Sequence, residues 1–222
     1  MIHSGSRNIG KRICDYYHDI AKNLNRKWHS DLPTDKLAFL PVDTPEGQAY
    51  LKCMNFCMEF SYLNREYMLK DIKYAIERYV ENDIEYDNPI NIHHNFARQE
   101  NHFNKNVWVH RKGATSARKD EIGIIPGSMG TKSYIIKGKG NPESFMSCSH
   151  GAGRCMGRKD AERTFSLDEF KDKMKGIVSK DIDVKHIDES PMAYKDISIV
   201  MKEQQDLVEI VDEMTPIANC KG

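Results

Sequence analysis

Three things are scarce in this chain of 222 residues, and each scarcity removes a class of function. Charge of one sign is missing: 33 basic residues meet 33 acidic ones, so no global field draws in a polyanion and any nucleic-acid contact must come from a local patch. Long apolar runs are missing too. None approaches the roughly 20 residues of a membrane-spanning helix, and the opening MIHSGSRNIG lacks the apolar core of a secretion signal. A cytoplasmic protein with no membrane partner is the expectation. The six cysteines, Cys14, Cys53, Cys57, Cys148, Cys155 and Cys220, show neither a disulfide-framework spacing nor a C-x2-C knuckle. That argues against a stapled secreted module and against a structural zinc protein. The thiols are expected to be reduced and mostly buried.

What is present is a globular composition, 39% hydrophobic and 30% charged, long enough to bury a substantial core as one large domain or two small ones. From Gly10 to Trp28, Ile13, Tyr16, Tyr17, Ile20, Ala21 and Leu24 recur at helical spacing. Pro33 and Pro41 then punctuate a loop with a short extended piece at 38–40. Asp43 or Thr44 before Pro45 and Glu46 signals a second helix start. Its apolar stripe runs through Cys53, Cys57 and Phe60, and past a possible break near Asn64 to Ile72, Ile76 and Tyr79. After Asn82, short β-prone runs hold Val107, Val109, Ile122, Ile124, Ile125, Ile135 and Ile136. Ser166 to Glu169 reads as a capping box opening a helix to about Met174, and 204–214 as a further helix. Helices followed by strands without regular alternation give an α+β fold, with a helical N-terminal third, a β-rich centre and helices near the C-terminus.

Six of the 14 glycines fall between Gly127 and Gly153 and surround one histidine, His150. Glycine weakens packing, so this density points to backbone that approaches a ligand. Peptide N–H groups in 126–130 and 150–153 are candidate donor nests for phosphate, with Lys132, Lys137, Lys139, Arg154, Arg158 and Lys159 as a local cationic patch. The plainer reading is a pair of glycine-rich turns with His150 an ordinary bonded histidine. His93 and His94 form a second candidate: in a strand they would face opposite ways, so at most one would enter a given site, unless both are simply a polar strand end. His110 to Gly113 places basic groups after a strand, near phosphate or in an exposed turn. Gly5, Gly10 and Lys11 match G-x4-G-K, but Arg12 stands where a phosphate loop needs Ser or Thr and no strand precedes it in this chain.

Taken together, PGSMGTKSY, GKGNPESF, SCSHGAGR, HRKGA, NIHHN and MIHSGSRNIG resemble the RtcB family of RNA-splicing ligases, over nearly the whole chain and specifically its C-terminal half. The resemblance implies that residues 1–222 are the C-terminal portion of one catalytic domain. It implies a ligase joining RNA ends that carry a 3′-phosphate or 2′,3′-cyclic phosphate to RNA ends that carry a 5′-hydroxyl, in tRNA splicing or RNA repair, using GTP and manganese (Mn2+). By the same resemblance His150 is the nucleophile that holds GMP, and His3 and His94 are metal ligands. Asn95, Pro126, Gly127, Ser128, Met129, Ser133, Gly151, Ala152, Gly153 and Lys221 line the guanylate site. The family's Asp and Cys motif and its Asn-His motif belong upstream of HSGSR and are not in this sequence. Implied partners are therefore the two RNA ends, the N-terminal half and an activating protein. A GTP- or RNA-binding segment without chemistry, and a structural or zinc-binding interaction protein, are the competing expectations.

Overall fold

The computed structural model describes residues 1–80 and 83–221; the composition boundary placed at Asn82 and the terminal Gly222 lie outside the described residues. The chain divides into two compact units, Met1–His93 and His94–Gly222.

The first unit is helical. Ser6 Oγ accepts the N–H of Gly10 and opens α1 (Ile9–Lys27), so the apparent phosphate loop is a helix start, with Lys11 paired to Asp15 at 2.6 Å. At the other end of α1, Asn25 is buried and its amide bonds both the N–H and the C=O of Phe39, at 3.0 and 2.8 Å. The side chain thus does for Phe39 what a neighbouring strand would do, and 38–40 forms no strand. Thr44 caps α2 (Pro45–Tyr79) by accepting the N–H of Gly47, with Pro45 in the first turn. Tyr17 packs edge-on against Tyr50 where the two helices meet.

α2 runs unbroken through Asn64, whose side chain bonds Ser4 Oγ rather than ending the helix. The core stripe expected along it is buried only in its first part, at Gly47, Cys57 and Ser61. Leu63, Ile72, Ile76 and Tyr79 are exposed.

The second unit is mostly strand. β1 (Asn95–His102) and β2 (Lys105–Lys112) form an antiparallel hairpin whose two turn residues, Phe103 and Asn104, both have positive φ, the geometry that matches strand twist. β3 (Ala114–Ser116) pairs with β6 (Ser147–Ser149). β4 (Ile122–Ile125), β5 (Ser133–Gly138) and β8 (Val208–Met214) make a three-stranded antiparallel sheet with β5 central. The β-branched residues singled out in 107–136 all lie in these strands.

The helix expected over 204–214 is not there. α5 ends at Glu203 (Ile197–Glu203), and Val208 and Ile210 instead pair with the free edge of β5, with a register shift at Val211. Ile136 at the centre of β5 is wholly buried, so its backbone must be bonded on both sides, and that demand outweighs local helical spacing. Ile125, Tyr134, Ile136, Cys148, Ala152, Ile197, Met201 and Val208 form one core.

α3 (Arg158–Thr164) and α4 (Leu167–Lys173) follow β6, and the Ser166–Glu169 capping box is formed in full. Met129, Phe170, Met174 and Ile187 form a second core. β7 (Val178–Ser179) and β9 (Ala218–Asn219) pair in parallel and tie down the C-terminus. Of the cysteines only Cys57 and Cys148 are buried; Cys14, Cys155 and Cys220 are exposed, because they sit on helix or loop positions that face away from both cores.

Candidate functional site

β6 delivers His150 directly, and β1 begins one residue after His94. The two imidazoles stack, with centroids 5.1 Å apart and planes 19° from parallel. Neither His93 nor His94 is in a strand, so strand alternation does not choose between them; the stack on His150 does. Gly113, at φ +76°, turns β2 into β3 beside the His150 ring. A cleft of about 760 Å³ opens against His150, within the size range of small-molecule sites. Ser149 to Gly153 line one side, and Lys195, Ile199, Glu203 and Leu207 of the α5 region line the other. Burial pushes the neighbouring Cys148 thiol up to about 12, which keeps it neutral near pH 7.

Several of the N–H groups expected to form donor nests on either side of His150 already have acceptors within the chain. In 126–130 the N–H of Gly127 donates to Ser133 Oγ and that of Ser128 to Thr131 Oγ1, at 3.1 and 2.7 Å. In 150–153 the N–H of Gly151 donates to Ser149 Oγ, and that of Ala152 to the carbonyl of Pro126, at 3.3 and 3.2 Å. Close approach is a further use of glycine here. A Cβ on Gly127 would stand 2.1 Å from the carbonyl oxygen of Lys132, so only glycine closes that turn. Pro126 to Ser133 therefore backs the His150 loop from behind, with Met129 in the second core and Ser133 buried.

The expected cationic patch is largely paired: Lys132 with Glu213, Lys137 with Asp120, Lys139 with the carbonyl of Gln205, and Arg158 with Asp188 and Glu189. Glu189 is a hub the sequence did not disclose. It accepts from Tyr194 Oη at 2.6 Å and from Lys221 Nζ at 3.0 Å, and lies 3.8 Å from Arg154. Burial pushes its carboxyl up, but the bonds from Tyr194, Lys221 and Arg158 outweigh that and hold it at about 2. Burial first, and then Glu189, raise the Tyr194 phenol to about 12. Lys221 is not frayed: its backbone N–H also donates to Asp181, at 2.7 Å.

Within the stretch His110 to Gly113, His110, Lys112 and Gly113 are exposed but Arg111 is buried. Arg111 and Glu100 are each about 1% exposed and face each other across the hairpin, with bonds of 2.5 and 3.0 Å. The signal was in the phase: Val107, Val109 and Arg111 share one face of β2, and Phe96 and Glu100 one face of β1.

The predicted residues are thus brought together in part. His94, His150, Gly151, Ala152 and Gly153 converge, and Asn95 is exposed at the start of β1. Pro126 to Ser133 and Lys221 do not line the cleft. His3 is exposed and belongs to the first unit, where Arg65 links the carbonyl of Ser4 to Asn91. Among the described residues no three His, Cys, Asp or Glu side chains form a group able to hold a metal ion. His3 and His94 are the two donors that the resemblance names for manganese, and no step below runs through the metal.

Comparison with known proteins gives one consistent result. The whole chain, residues 1–222, matches the family described as tRNA-splicing ligase RtcB. It is 42% identical over 228 aligned positions to the RNA-splicing ligase RtcB of Escherichia coli K12, covering 100% of this chain and 55% of that protein. It is 36% identical to the tRNA-splicing ligase RtcB of Methanococcus maripaludis, covering 90% of this chain and 47% of that protein. To the tRNA-splicing ligase RtcB of Thermococcus kodakarensis it is 30% identical, covering 100% and 52%. The chain spans about half the length of the curated relatives it matches.

Proposed function

This chain belongs to the tRNA-splicing ligase RtcB family, and from that premise we propose that it carries the guanylate-accepting half of a cytoplasmic RNA ligase. On this reading residues 1–222 are the C-terminal portion of one catalytic domain, and the substrates are an RNA end with a 3′-phosphate or 2′,3′-cyclic phosphate and one with a 5′-hydroxyl. GTP supplies the guanylyl group: a ring nitrogen of His150 bonds to the α-phosphorus as pyrophosphate leaves, the group passes to the RNA 3′-phosphate, and attack by the 5′-hydroxyl releases GMP.

A neutral imidazole suits this part, since it offers a lone pair near neutral pH where a lysine must first lose a proton. The single observation that carries the reading is His150 stacked on His94 at the wall of a nucleotide-sized cleft. The glycines of 151–153 keep that wall low, and Lys195 brings a cation to its far side. Asn95, Ser128, Ser133 and Lys221 are assigned to the guanylate by family resemblance, and His3 and His94 each to manganese on the same ground.

A second reading, a GTP- or RNA-binding segment without chemistry, is favoured by the absence of a three-donor metal group among the described residues. One experiment separates them. With α-³²P-labelled GTP and manganese, acid-labile label is expected on this chain when a polypeptide matching the rest of the relatives is supplied, and none after His150→Ala. Label that persists in His150→Ala refutes the assignment, and nucleotide binding without label under complementation establishes the second reading.

A further inference from the structure

We propose that the buried Glu100–Arg111 pair is the positioning device of this site, and that Arg111, acting through Ser147 and the carbonyl of Phe145, sets the stack of His94 on His150. The two histidines do not share a sheet. Among the described residues His94 leads into β1, which pairs with β2 alone, and His150 leaves β6, which pairs with β3 alone. No ladder of backbone bonds therefore fixes one ring against the other.

The Arg111 guanidinium ties the two segments together. Its two terminal nitrogens grip Glu100 on β1 at 2.5 and 3.0 Å, its Nε donates to Ser147 Oγ at 3.0 Å, and Nη2 also donates to the Phe145 carbonyl at 3.0 Å. One planar group thus bonds the strand after His94 and the segment that becomes β6 three residues before His150. Its other contacts reinforce the same axis. Arg111 lies over the ring of Phe96, two residues from His94, with its Cζ 5.6 Å from the ring centroid. Gly113, two residues beyond Arg111, passes beside the His150 ring. His102 and Arg118 bond the remaining capacity of Glu100, at 2.9 and 3.1 Å, so the carboxylate cannot swing.

Stability alone gives little reason for such a pair, because a buried ion pair is often no better than an apolar pair of the same volume. Orientation does give one. A guanidinium carries its donors in a rigid fork, so it fixes direction as well as distance, which a lysine does not. Reaction at a ring nitrogen is sensitive to that direction: a displacement of about 1 Å costs on the order of a hundredfold in rate.

The test uses the full chain and three variants. Arg111→Lys keeps the charge but loses the fork. Ser147→Ala removes one tie and leaves the ion pair whole. The double variant Glu100→Gln with Arg111→Met removes both charges together, strands neither, and keeps the test available if Arg111→Lys does not fold. The first readout is the nuclear Overhauser effect between the ring protons of His94 and His150, which needs no catalysis. It is expected in the parent, weakened in Ser147→Ala and lost in the other two while each remains folded by thermal melting.

The second readout rests on the ligase reading: guanylylation at saturating GTP falls about tenfold to a hundredfold with the KM for GTP unchanged. A ring contact that survives in folded Arg111→Lys and in the double variant overturns the proposal, whatever the label does. If the parent takes no label but the ring contact responds as stated, the ligase reading falls and the positioning role stands.

Discussion

Replacing Glu100 with glutamine probes the same pair as a matter of stability, and its size follows from the structure. Burial pushes the Glu100 carboxyl up, but the bonds from Arg111 and His102 and the charges of Arg111 and Arg118 outweigh it, and the group is held at about 2 against an ordinary 4.5. A carboxyl whose proton affinity falls on folding stabilises the fold while ionised. Its contribution is complete above the unfolded value of 4.5 and disappears as pH falls through about 2. At about 1.4 kcal/mol per tenfold change in proton affinity, the contribution is about 3 kcal/mol, undiminished by solvent because both side chains are about 1% exposed.

Glu100→Gln also leaves Arg111 as an uncompensated buried charge, so at pH 7 the variant should be less stable by about 3–5 kcal/mol. Denaturant titrations at several pH values between 7 and 2, read by Trp108 in a Trp28→Phe background, report the second unit through a residue of β2. The gap between parent and variant should narrow by about 3 kcal/mol as pH falls from 5 to 2, because protonation removes from the parent what the mutation has already removed. Glu189 titrates in the same window in both proteins and cancels from the gap. Two curves that stay parallel across that range would refute the reasoning, since Glu100 would then not be held ionised by folding.

Two further outcomes test separate parts of the structure. Asn25→Ala strands the N–H and C=O of Phe39 and should cost about 1–3 kcal/mol, with the Phe39 amide exchanging faster with solvent; unchanged exchange would mean that the Asn25 bridge does not hold that segment. In Glu189→Gln the Tyr194 phenol should titrate below its present value of about 12 yet above the ordinary 10, because its burial persists when the carboxylate is gone; an ultraviolet titration that does not move would remove Glu189 as the hub.

Helix starts and strand interiors were legible because they depend on near neighbours. Thr44 with Pro45, Ser166 with Glu169, and the runs of isoleucine and valine each carry their own local physics. What failed depended on distant partners. Val208 to Met214 became a strand because β5 had an edge to fill, and α2 did not break at Asn64 because that side chain found Ser4. In the site the single histidine among glycines was visible, and so was His94. The internal bonds of the glycine-rich loops were not, because a sequence shows which N–H groups exist and not which hydroxyls they already serve. Glu100 and Arg111 were missed because charge suggested the surface, although strand phase put both on the inner face.

These findings together change what the glycine-rich stretch is for. Loops whose amides were open to a phosphate would be held by that phosphate, and would be loose without it. Here the N–H groups of Gly127, Ser128, Gly151 and Ala152 are bonded within the chain, and Ser149 donates its Oγ to the carbonyl of Gly151 at 2.8 Å and its backbone N–H to Gln204 Oε1 at 3.0 Å. The entropic cost of ordering the His150 loop is therefore met when the second unit folds, and a ligand arriving in the cleft finds the ring already oriented. Glycine supplies the close approach, the hydroxyls supply the rigidity, and the buried Arg111 bonds both Ser147 of β6 and Glu100 of the strand that follows His94. On the proposed reading, in which His150 is the nucleophile, the alignment that transfer at phosphorus requires would rest on these side-chain bonds between sheets.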